Sequence, residues 1–344
     1  MRTGSRTVKG LVALVAGLVL ALPALDAQPE RKQKKPSKND QKEPVTQTLP
    51  VLPDPPAAVA AETARLVFHV SALSSKGLLS QQSRDALKSL ERDNRGAQIV
   101  KLRAFVAGTG DMRRVQQIVS EVFSEKKQPL PALTTVQVGA LPLEGAQVVI
   151  ESVSEDKRVD KRAANPGGLA FLPAQPVEAL KAAGEFLRVT CFLNSLEGLA
   201  QVRSQVAAAF PAAAANFVQL TRFGGTASSE GGANCEGVAR APSAHAGGVV
   251  FTGPKIIFSG LQMAFQDQEA DVRLAFDRLK KAVEPLGGRM EGAFVSVYPL
   301  TRAAAEAANR ERATLGAGGP TLLFEGLPAL DATVGVDVVA AKVD

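Results

Sequence analysis

Few residues in this sequence belong to types and spacings that support catalysis or metal binding. The two histidines, His69 and His245, are isolated, and there is no Cys-x-x-Cys pair. Structural metal sites gather Cys and His ligands at short spacings, so we predict no metal site and no bound cofactor. A Ser-His-Asp triad has no support either. His69 lies in an alternating apolar run and is predicted to be a core or edge residue of a strand.

The only two cysteines are Cys191 and Cys235. An even number of cysteines in an exported chain permits a disulfide between them. Two buried free thiols are the alternative, and the sequence alone does not decide between the two states.

A glycine-rich stretch, GGTASSEGG at 224–232, has the look of a phosphate-binding loop. It lacks the GxxxxGK[ST] spacing and does not lead into a helix, which a phosphate cradle needs. We therefore predict a flexible hairpin loop at this position.

Two ungapped internal matches indicate how the rest of the chain is organised. With a shift of 87 residues, Lys101–Phe123 lies over Arg188–Phe210, and with a shift of 186 residues, Val136–Val153 lies over Leu322–Val339. The second shift places Glu151 over Asp337. Because the first copy matches both of the others, the sequence predicts three repeats with approximate limits 64–155, 163–241 and 247–342.

Each repeat is predicted to contain strands and two helices in the same order. A strand pair opens copies one and three, and a helix, a strand, a second helix and two closing strands follow. The first helix shows its apolar stripe most clearly in copy three, and the second in copy one. The stripes consist of Val272, Ala275, Phe276, Leu279 and Val283, and of Val115, Ile118, Val119, Val122 and Phe123. Copy two is predicted to be truncated, because only residues 168–176 lie where the other copies have a hairpin and most of a helix.

Local motifs in the repeats are similar to those of the RidA (YjgF) family. Copy one has a helix that begins at Gln82, then Gly96, Phe123 and Pro131-Ala132-Leu133, and it ends in Leu141-Pro142 and the strand VVIESV at 148–153. Copy three has FSGLQ at 258–262, Leu327-Pro328 and VDVVA at 336–340. Copy two keeps VTCF at 189–192 and CEGVA at 235–239. The resemblance covers nearly all of 64–342.

The resemblance implies an α+β fold of the trimeric chorismate mutase type. It also implies a homotrimer with ligand clefts between neighbouring units. Three units on one chain would form an intramolecular pseudo-trimer, so we expect a monomer in solution. Each open sheet face would then be buried against a neighbouring unit of the same chain.

RidA enzymes hydrolyse 2-enamine and 2-imine acids, and the resemblance implies two site positions. An arginine after Pro-Ala would hold the substrate carboxylate, and an acid on the last strand would position water. The arginine position holds Leu133, Ala215 and Gly319, so all three copies lack it. Arg222 is the nearest substitute, and a surface charge is the alternative reading of it. The acid position holds Glu151, Glu236 and Asp337, which are the candidate catalytic residues; ordinary solvated or hydrogen-bonded strand-end residues are the alternative.

The N-terminus has the order of a secretory signal peptide. Arg2, Arg6 and Lys9 precede the apolar run 11–22, and small residues follow at Ala24 and Ala27. The run is shorter than the roughly 20 residues of a membrane span, although an uncleaved N-terminal anchor is the alternative. We expect a signal peptide at 1–27, a periplasmic or secreted mature chain that does not span a membrane, and a disordered basic, Pro-rich linker at 28–60.

The net charge of +6 is not spread over the repeats. After residue 45 the chain carries 31 basic and 30 acidic residues, so it lacks the basic surface that nucleic-acid backbones require. We therefore expect a small carboxylic or imino-acid ligand and no nucleic-acid partner. The expected function is small-ligand binding or scaffolding without efficient deaminase activity, and a deaminase-type hydrolase with altered substrate choice is the alternative.

Overall fold

The computed structural model describes residues 51–160, 168–181, 184–222, 233–240, 248–266 and 269–343. The predicted signal peptide, most of the predicted linker, His245 and the glycine-rich loop at 224–232 lie outside these residues. Residues 51–343 belong to one compact unit. Within the described ranges, no helix is long and apolar enough to cross a membrane.

The described chain contains fourteen strands and six α-helices. The strands are β1 (Ala58–Glu62), β2 (Leu66–Val70), β3 (Gln98–Ala107), β4 (Ala132–Val138), β5 (Val148–Glu155), β6 (Leu169–Gln175), β7 (Glu185–Leu193), β8 (Ala214–Gln219), β9 (Ala233–Arg240), β10 (Val249–Phe251), β11 (Lys255–Ser259), β12 (Gln262–Ala264), β13 (Gly288–Pro299) and β14 (Val334–Lys342). The helices are α1 (Leu79–Asn94), α2 (Arg113–Glu125), α3 (Val177–Leu180), α4 (Leu199–Ala209), α5 (Glu269–Val283) and α6 (Arg302–Thr314).

The first sheet has the strand order β2-β5-β3-β4. Strands β3 and β4 are parallel, as expected where a helix, here α2, connects them. The predicted stripe of α2 is buried, and it packs with α1 against one face of this sheet. Burial of that stripe is what fixes the helix on the sheet, since isolated helices of this length are marginal in water.

The second sheet has the order β10-β6-β9-β7-β8 and repeats the parallel pair as β7 and β8. Its helical layer is thin, because α3 spans only four residues where copy one has the 16-residue α1. The core under α3 and α4 includes Cys191 and Cys235, and the structure joins their sulfurs in a disulfide.

The third sheet has the order β1-β11-β14-β12, with β13 paired to β14. Helices α5 and α6 cover one face, and the predicted stripe of α5 is buried there. Residues 318–321 run parallel to β13, through bridges between Phe294 and Gly318 and between Val297 and Thr321. They occupy the place that β4 has in the first sheet.

Two strands belong to sheets other than those of their sequence neighbours. Strand β1 pairs with β11 of the third sheet, although it directly precedes the first repeat, and β10 pairs with β6 of the second sheet. The opening strand pairs that we predicted within copies one and three are therefore shared between sheets. Strand β1 also begins at Ala58, inside the segment predicted as linker.

The faces of the three sheets that lack helices meet in a common interior. Phe105, Phe192 and Tyr298 lie near the ends of β3, β7 and β13, and with Phe324 they form a chain of edge-to-face contacts. Successive ring centroids lie 6.2, 6.0 and 5.1 Å apart. Such contacts add to the stabilisation from burial alone.

Candidate functional site

A cluster of six charged side chains lies in this common interior. Alternation along a strand places every second residue on the same face, so β3 presents Lys101, Arg103 and Phe105 to the interior. The cluster consists of Lys101, Arg103, Glu151, Arg188, Glu236 and Asp337. We call it the central cluster.

Strand register brings the three candidate acids to equivalent places in the three sheets. Glu151 is paired with Arg103, Glu236 with Thr190, and Asp337 with Ser296. All three acids are buried, with exposed fractions of 1%, 3% and 6% respectively. The structure therefore brings the three predicted acids together at one centre, whereas we expected them to line separate clefts.

Arg103 links two of these acids. Its Nε and Nη2 atoms donate to Oε2 of Glu151 over 3.0 and 2.8 Å, and the guanidinium also contacts Glu236. Arg188 lies 3.3 Å from Glu151 and 3.9 Å from Glu236 through its two terminal nitrogens. The guanidinium groups of Arg103 and Arg188 thus each contact both carboxylates, those of Glu151 and Glu236.

Hydrogen bonds complete the surroundings of Glu151. Its Oε1 atom accepts from the Thr190 hydroxyl at 2.6 Å and from the Asn216 amide at 2.8 Å. Burial by itself would raise the pKa of Glu151, but Arg103, Arg188 and the two hydrogen-bond donors lower the pKa to about 2. The side chain is therefore a carboxylate that is already fully engaged.

Lys101 and Asp337 form the other part of the cluster. Lys101 Nζ lies 3.0 Å from Asp337 Oδ2 and also donates to Thr134 Oγ1 at 2.7 Å. Thr134 and Tyr298 donate to the same carboxylate oxygen, at 2.6 and 3.2 Å. Burial would raise the pKa of Asp337, but Lys101 and Thr134 lower the pKa overall. Burial lowers the pKa of Lys101, against the opposing effect of Asp337.

Positive and negative charges in the central cluster balance only when all six side chains are counted together. The first sheet contributes Lys101, Arg103 and Glu151, the second contributes Arg188 and Glu236, and the third contributes Asp337 alone. In the third sheet, Phe294 stands where Lys101 and Arg188 stand in the others. Three cations therefore meet three acids, which is the condition under which buried charges are tolerated.

The cavity in the central cluster has a volume of about 40 Å³. A single water needs roughly 10–15 Å³ of such volume, so the cavity has room for a few waters but not for an imino acid. The arrangement can hold sheets together electrostatically. It offers neither a free acid nor space for a substrate.

The other predicted candidates lie elsewhere. Arg222 is half-exposed at the surface, 3.7 Å from Glu325, and it donates to the Leu300 carbonyl. His69 lies on β2, as predicted, opposite Ser152. Within the described residues, no group of His, Cys, Asp and Glu is arranged to hold a metal ion.

The three positions of the missing arginine have different environments. Leu133 is buried opposite Leu102, and Ala215 is exposed opposite Val189. Gly319 packs against the backbone of Val295. Leu133 borders a cleft of about 220 Å³ between β4 and residues 260–263.

The cations of the central cluster were not predicted from the sequence. A usable signal was present, since the shift of 87 residues places Lys101 over Arg188, so two repeats have a basic residue at the same inward position of an apolar strand. Charged residues are seldom buried unless they are paired. That coincidence could have predicted buried partners for the acids.

Residues 73–155 match the family model described as Endoribonuclease L-PSP, the group of the RidA/YjgF proteins. This stretch is similar to the RidA family. It contains α1, β3, α2, β4 and β5, and it therefore supplies Lys101, Arg103 and Glu151 to the central cluster and Leu133 to the cleft. No curated protein matches the chain significantly.

Solved structures of RidA-family proteins are similar to part of the chain. A member of the YjgF/YER057c/UK114 family from Mycobacterium tuberculosis has 27% identity over 27% of this chain and 80% of its own, with a TM-score of 0.24. The YjgF gene product of E. coli has 20% identity over 30% of this chain and 94% of its own, with a TM-score of 0.25. A chorismatase has 10% identity over 83% of this chain and 77% of its own, with a TM-score of 0.41.

Proposed function

We propose that this chain is an exported RidA-like protein that folds as an intramolecular pseudo-trimer and binds a small ligand without efficient deaminase activity. The observation that carries the proposal is the state of the three acids. Glu151, Glu236 and Asp337 are all buried and all paired with cations of the same chain.

An acid that positions water for imine hydrolysis must reach both the water and the substrate. Glu151 is only 1% exposed, and its two oxygens already accept from Arg103, Thr190 and Asn216. Freeing it would leave the buried guanidinium groups of Arg103 and Arg188 with Glu236 as their shared counter-charge, and the unbalanced buried charge costs several kcal/mol. These acids are better suited to joining the three sheets than to catalysis.

The pseudo-trimer is supported by equivalent contributions from the repeats. Three acids at equivalent register positions and three aromatic residues at equivalent strand ends meet in one interior. The arrangement predicts that the mature chain elutes as a monomer on a sizing column with light scattering. A mass of three or more chains would contradict the proposed arrangement.

Loss of the carboxylate clamp supports weak or absent turnover. A bidentate guanidinium orients a carboxylate through charged hydrogen bonds, each worth about 1.5–3 kcal/mol. Leu133, Ala215 and Gly319 cannot make such bonds. Leu133 borders a cleft of about 220 Å³, so we place ligand binding there.

The decisive test is an assay coupled to an amino-acid oxidase, which generates 2-imino acids in solution. We expect the mature protein to leave the rate of ammonia release at the uncatalysed value. Acceleration that is lost in Glu151→Gln, while the variant remains folded, would establish a deaminase-type hydrolase instead. Mass spectrometry of the exported chain tests the predicted cleavage after residue 27.

A further inference from the structure

The first sheet lacks an outer strand that the other two sheets have. The second sheet begins with β10-β6-β9 and the third with β1-β11-β14, whereas the first begins with β2-β5. Strand β2 corresponds to β6 and β11, so the position that β10 and β1 fill lies beside β2. We call it the outer position of the first sheet. In the part of the chain that the structure describes, no strand pairs with β2 there.

Strand register defines this position. Strands β2, β6 and β11 each carry a phenylalanine directly opposite a valine of the neighbouring strand β5, β9 or β14; these are Phe68, Phe171 and Phe258. On their other side, Val249 of β10 lies opposite Phe171, and Val59 of β1 lies opposite Phe258. A strand in the outer position of the first sheet would therefore place a residue opposite Phe68.

Main-chain groups of β2 point towards the outer position. The Ser71 amide donates to the Ile150 carbonyl of β5 at 2.8 Å. Because the direction of bonding alternates along an antiparallel strand, the N–H and C=O groups of Phe68 and Val70 point away from β5. Among the described residues, none makes a main-chain hydrogen bond with these groups.

The missing strand leaves β2 more exposed than its counterpart β11. On β11, beside β1, Ile257 and Ser259 are 0% exposed. The corresponding residues of β2, Val67 and His69, are half-buried, and so is Val70. Strand β2 has the sequence LVFHV, without the lysine or proline that commonly blocks an exposed edge. The edge is therefore open to solvent and suited to pairing.

The order of the repeats gives a reason for the missing strand. Strand β1 precedes the first repeat and pairs in the third sheet, and β10 precedes β11 and pairs in the second sheet. By the same exchange, the outer strand of the first sheet would come from the start of copy two. That part is predicted to be truncated, since only 168–176 corresponds to a hairpin and most of a helix.

We infer that the edge of β2 binds an extended segment of a partner protein, which adds an outer strand to the first sheet. In this mode of recognition, main-chain hydrogen bonds supply affinity and alternate side chains supply specificity. The strands at the corresponding positions, AVAAE in β1 and VVF in β10, indicate the chemistry of the segment. It is short and apolar, with valine or a residue of similar size opposite Phe68. This surface is separate from the cleft of the proposed function.

Amide hydrogen exchange, followed by NMR, tests whether the edge is open. We expect the amides of Phe68 and Val70 to exchange at least about 100-fold faster than those of Ile256 and Phe258, which bond to β1. The His69 amide bonds to β5 and should exchange slowly, which makes it the control on the same strand. Slow exchange at Phe68 and Val70 in the protein alone would show that the edge is already covered, and would overturn the inference.

A peptide with the sequence of residues 57–62, acetyl-AAVAAE-amide, serves as the probe for the partner segment. We expect it to bind the mature protein with a Kd below about 1 mM in an NMR titration. At about 10 mM peptide, exchange of the Phe68 and Val70 amides should slow by at least about tenfold, because bound peptide protects them. The His69 amide should keep its rate.

Two N-methylated forms of the peptide are matched controls. Methyl groups at the residues corresponding to Val59 and Ala61 remove the donors that face β2, so we expect binding to weaken by at least about tenfold. Methyl groups at the residues corresponding to Ala58 and Ala60 modify the opposite edge of the peptide, and binding should persist. The two peptides have the same composition, so a difference between them reports edge pairing alone.

Val70→Pro tests the edge from the side of the protein. Proline removes an N–H group that points away from β5, so the ladder between β2 and β5 is kept. We expect the circular dichroism spectrum to be unchanged and peptide binding to weaken by at least about fivefold. If the variant does not fold, the two methylated peptides still decide the question on the wild-type protein.

Three further results would overturn the inference. Equal binding of both methylated peptides would exclude edge pairing, and no binding at about 10 mM peptide would exclude the class of partner. A dimer that forms with rising protein concentration and slows exchange at Phe68 and Val70 would assign the edge to a second copy of the chain. The imino-acid assay does not involve this edge, so acceleration there would defeat the proposed function alone.

Discussion

Lys101 on β3 and Asp337 on β14 form a buried ion pair across 236 residues of sequence, with 3.0 Å between Nζ and Oδ2. The two side chains are only 10% and 9% exposed. The pair joins the first and third sheets, as the Arg103 and Glu236 pair joins the first and second. Charge balance thus depends on residues that the three repeats do not share.

Removing one member of this pair should destabilise the protein strongly. In Asp337→Asn, the Lys101 ammonium loses its counter-charge in the interior, and we expect the free energy of unfolding to fall by about 3–5 kcal/mol. Chemical denaturation followed by circular dichroism measures this. Glu269→Gln breaks the pair with Arg310, in which both side chains are 60% exposed, and should cost less than about 1 kcal/mol. Similar losses in both variants would contradict a special role of the buried pair.

Stability should fall in acid because of Glu151. Its folded-state pKa is about 2, below the ordinary value of about 4.3 for the unfolded chain. A lowered pKa means that the carboxylate stabilises the fold above pH 4, and that this contribution is lost as the pH falls towards 2. We expect Glu151→Gln to be less stable at pH 7 and to have a flatter dependence of unfolding free energy between pH 4 and 2. Glu269→Gln should keep the wild-type slope, and a wild-type slope in Glu151→Gln would exclude this carboxylate as the cause.

The sequence predicted the helices and the equivalence of the acids, but not which strand faces would meet. The stripes of α2 and α5 are buried at every predicted position because a helix on a sheet has one buried side. Strand β3 gives no such signal, since it is buried on both faces from its second residue onward. Alternation then cannot distinguish the helix side from the interior side. The acids were expected in clefts because the resemblance to the RidA family implied it.

Local sequence patterns also could not predict which sheet a strand joins. A short apolar segment such as β1 or β10 predicts a strand but not its partner, and pairing with β11 or β6 depends on how the repeats pack. The truncation of copy two is a prediction from the sequence, where only 168–176 corresponds to a hairpin and most of a helix. Only the structure shows that the core of the second sheet contains a disulfide and is covered by the four-residue helix α3.

The Cys191 and Cys235 disulfide should be a main source of stability for the second repeat. It joins directly paired residues of β7 and β9, with a sequence separation of 44. Closing a loop of this length stabilises the fold by about 2–4 kcal/mol, mainly through the unfolded state. We expect Cys191→Ala/Cys235→Ala to lower the free energy of unfolding by that amount, and reductant to lower the wild-type value but not that of the double variant. A mass unchanged after alkylation in denaturant without reductant, and increased by two alkyl groups after alkylation in denaturant with reductant, would confirm the bond. Labelling of both thiols in denaturant without reductant would contradict it.

Gly319 should be irreplaceable, unlike the other two positions of the missing arginine. Its φ angle is +128°, and a Cβ atom there would lie 2.1 Å from the Val295 carbonyl oxygen. Gly292 also has a positive φ angle, +66°, but a Cβ atom there would meet nothing within 4 Å. Gly292→Ala therefore carries only the backbone cost of about 1–2 kcal/mol, whereas Gly319→Ala adds a backbone clash and should be at least about 2 kcal/mol worse. Thermal unfolding of the two variants measures the difference. Equal losses would mean that the β13 neighbourhood yields easily and that an arginine could be accommodated in the third repeat as well.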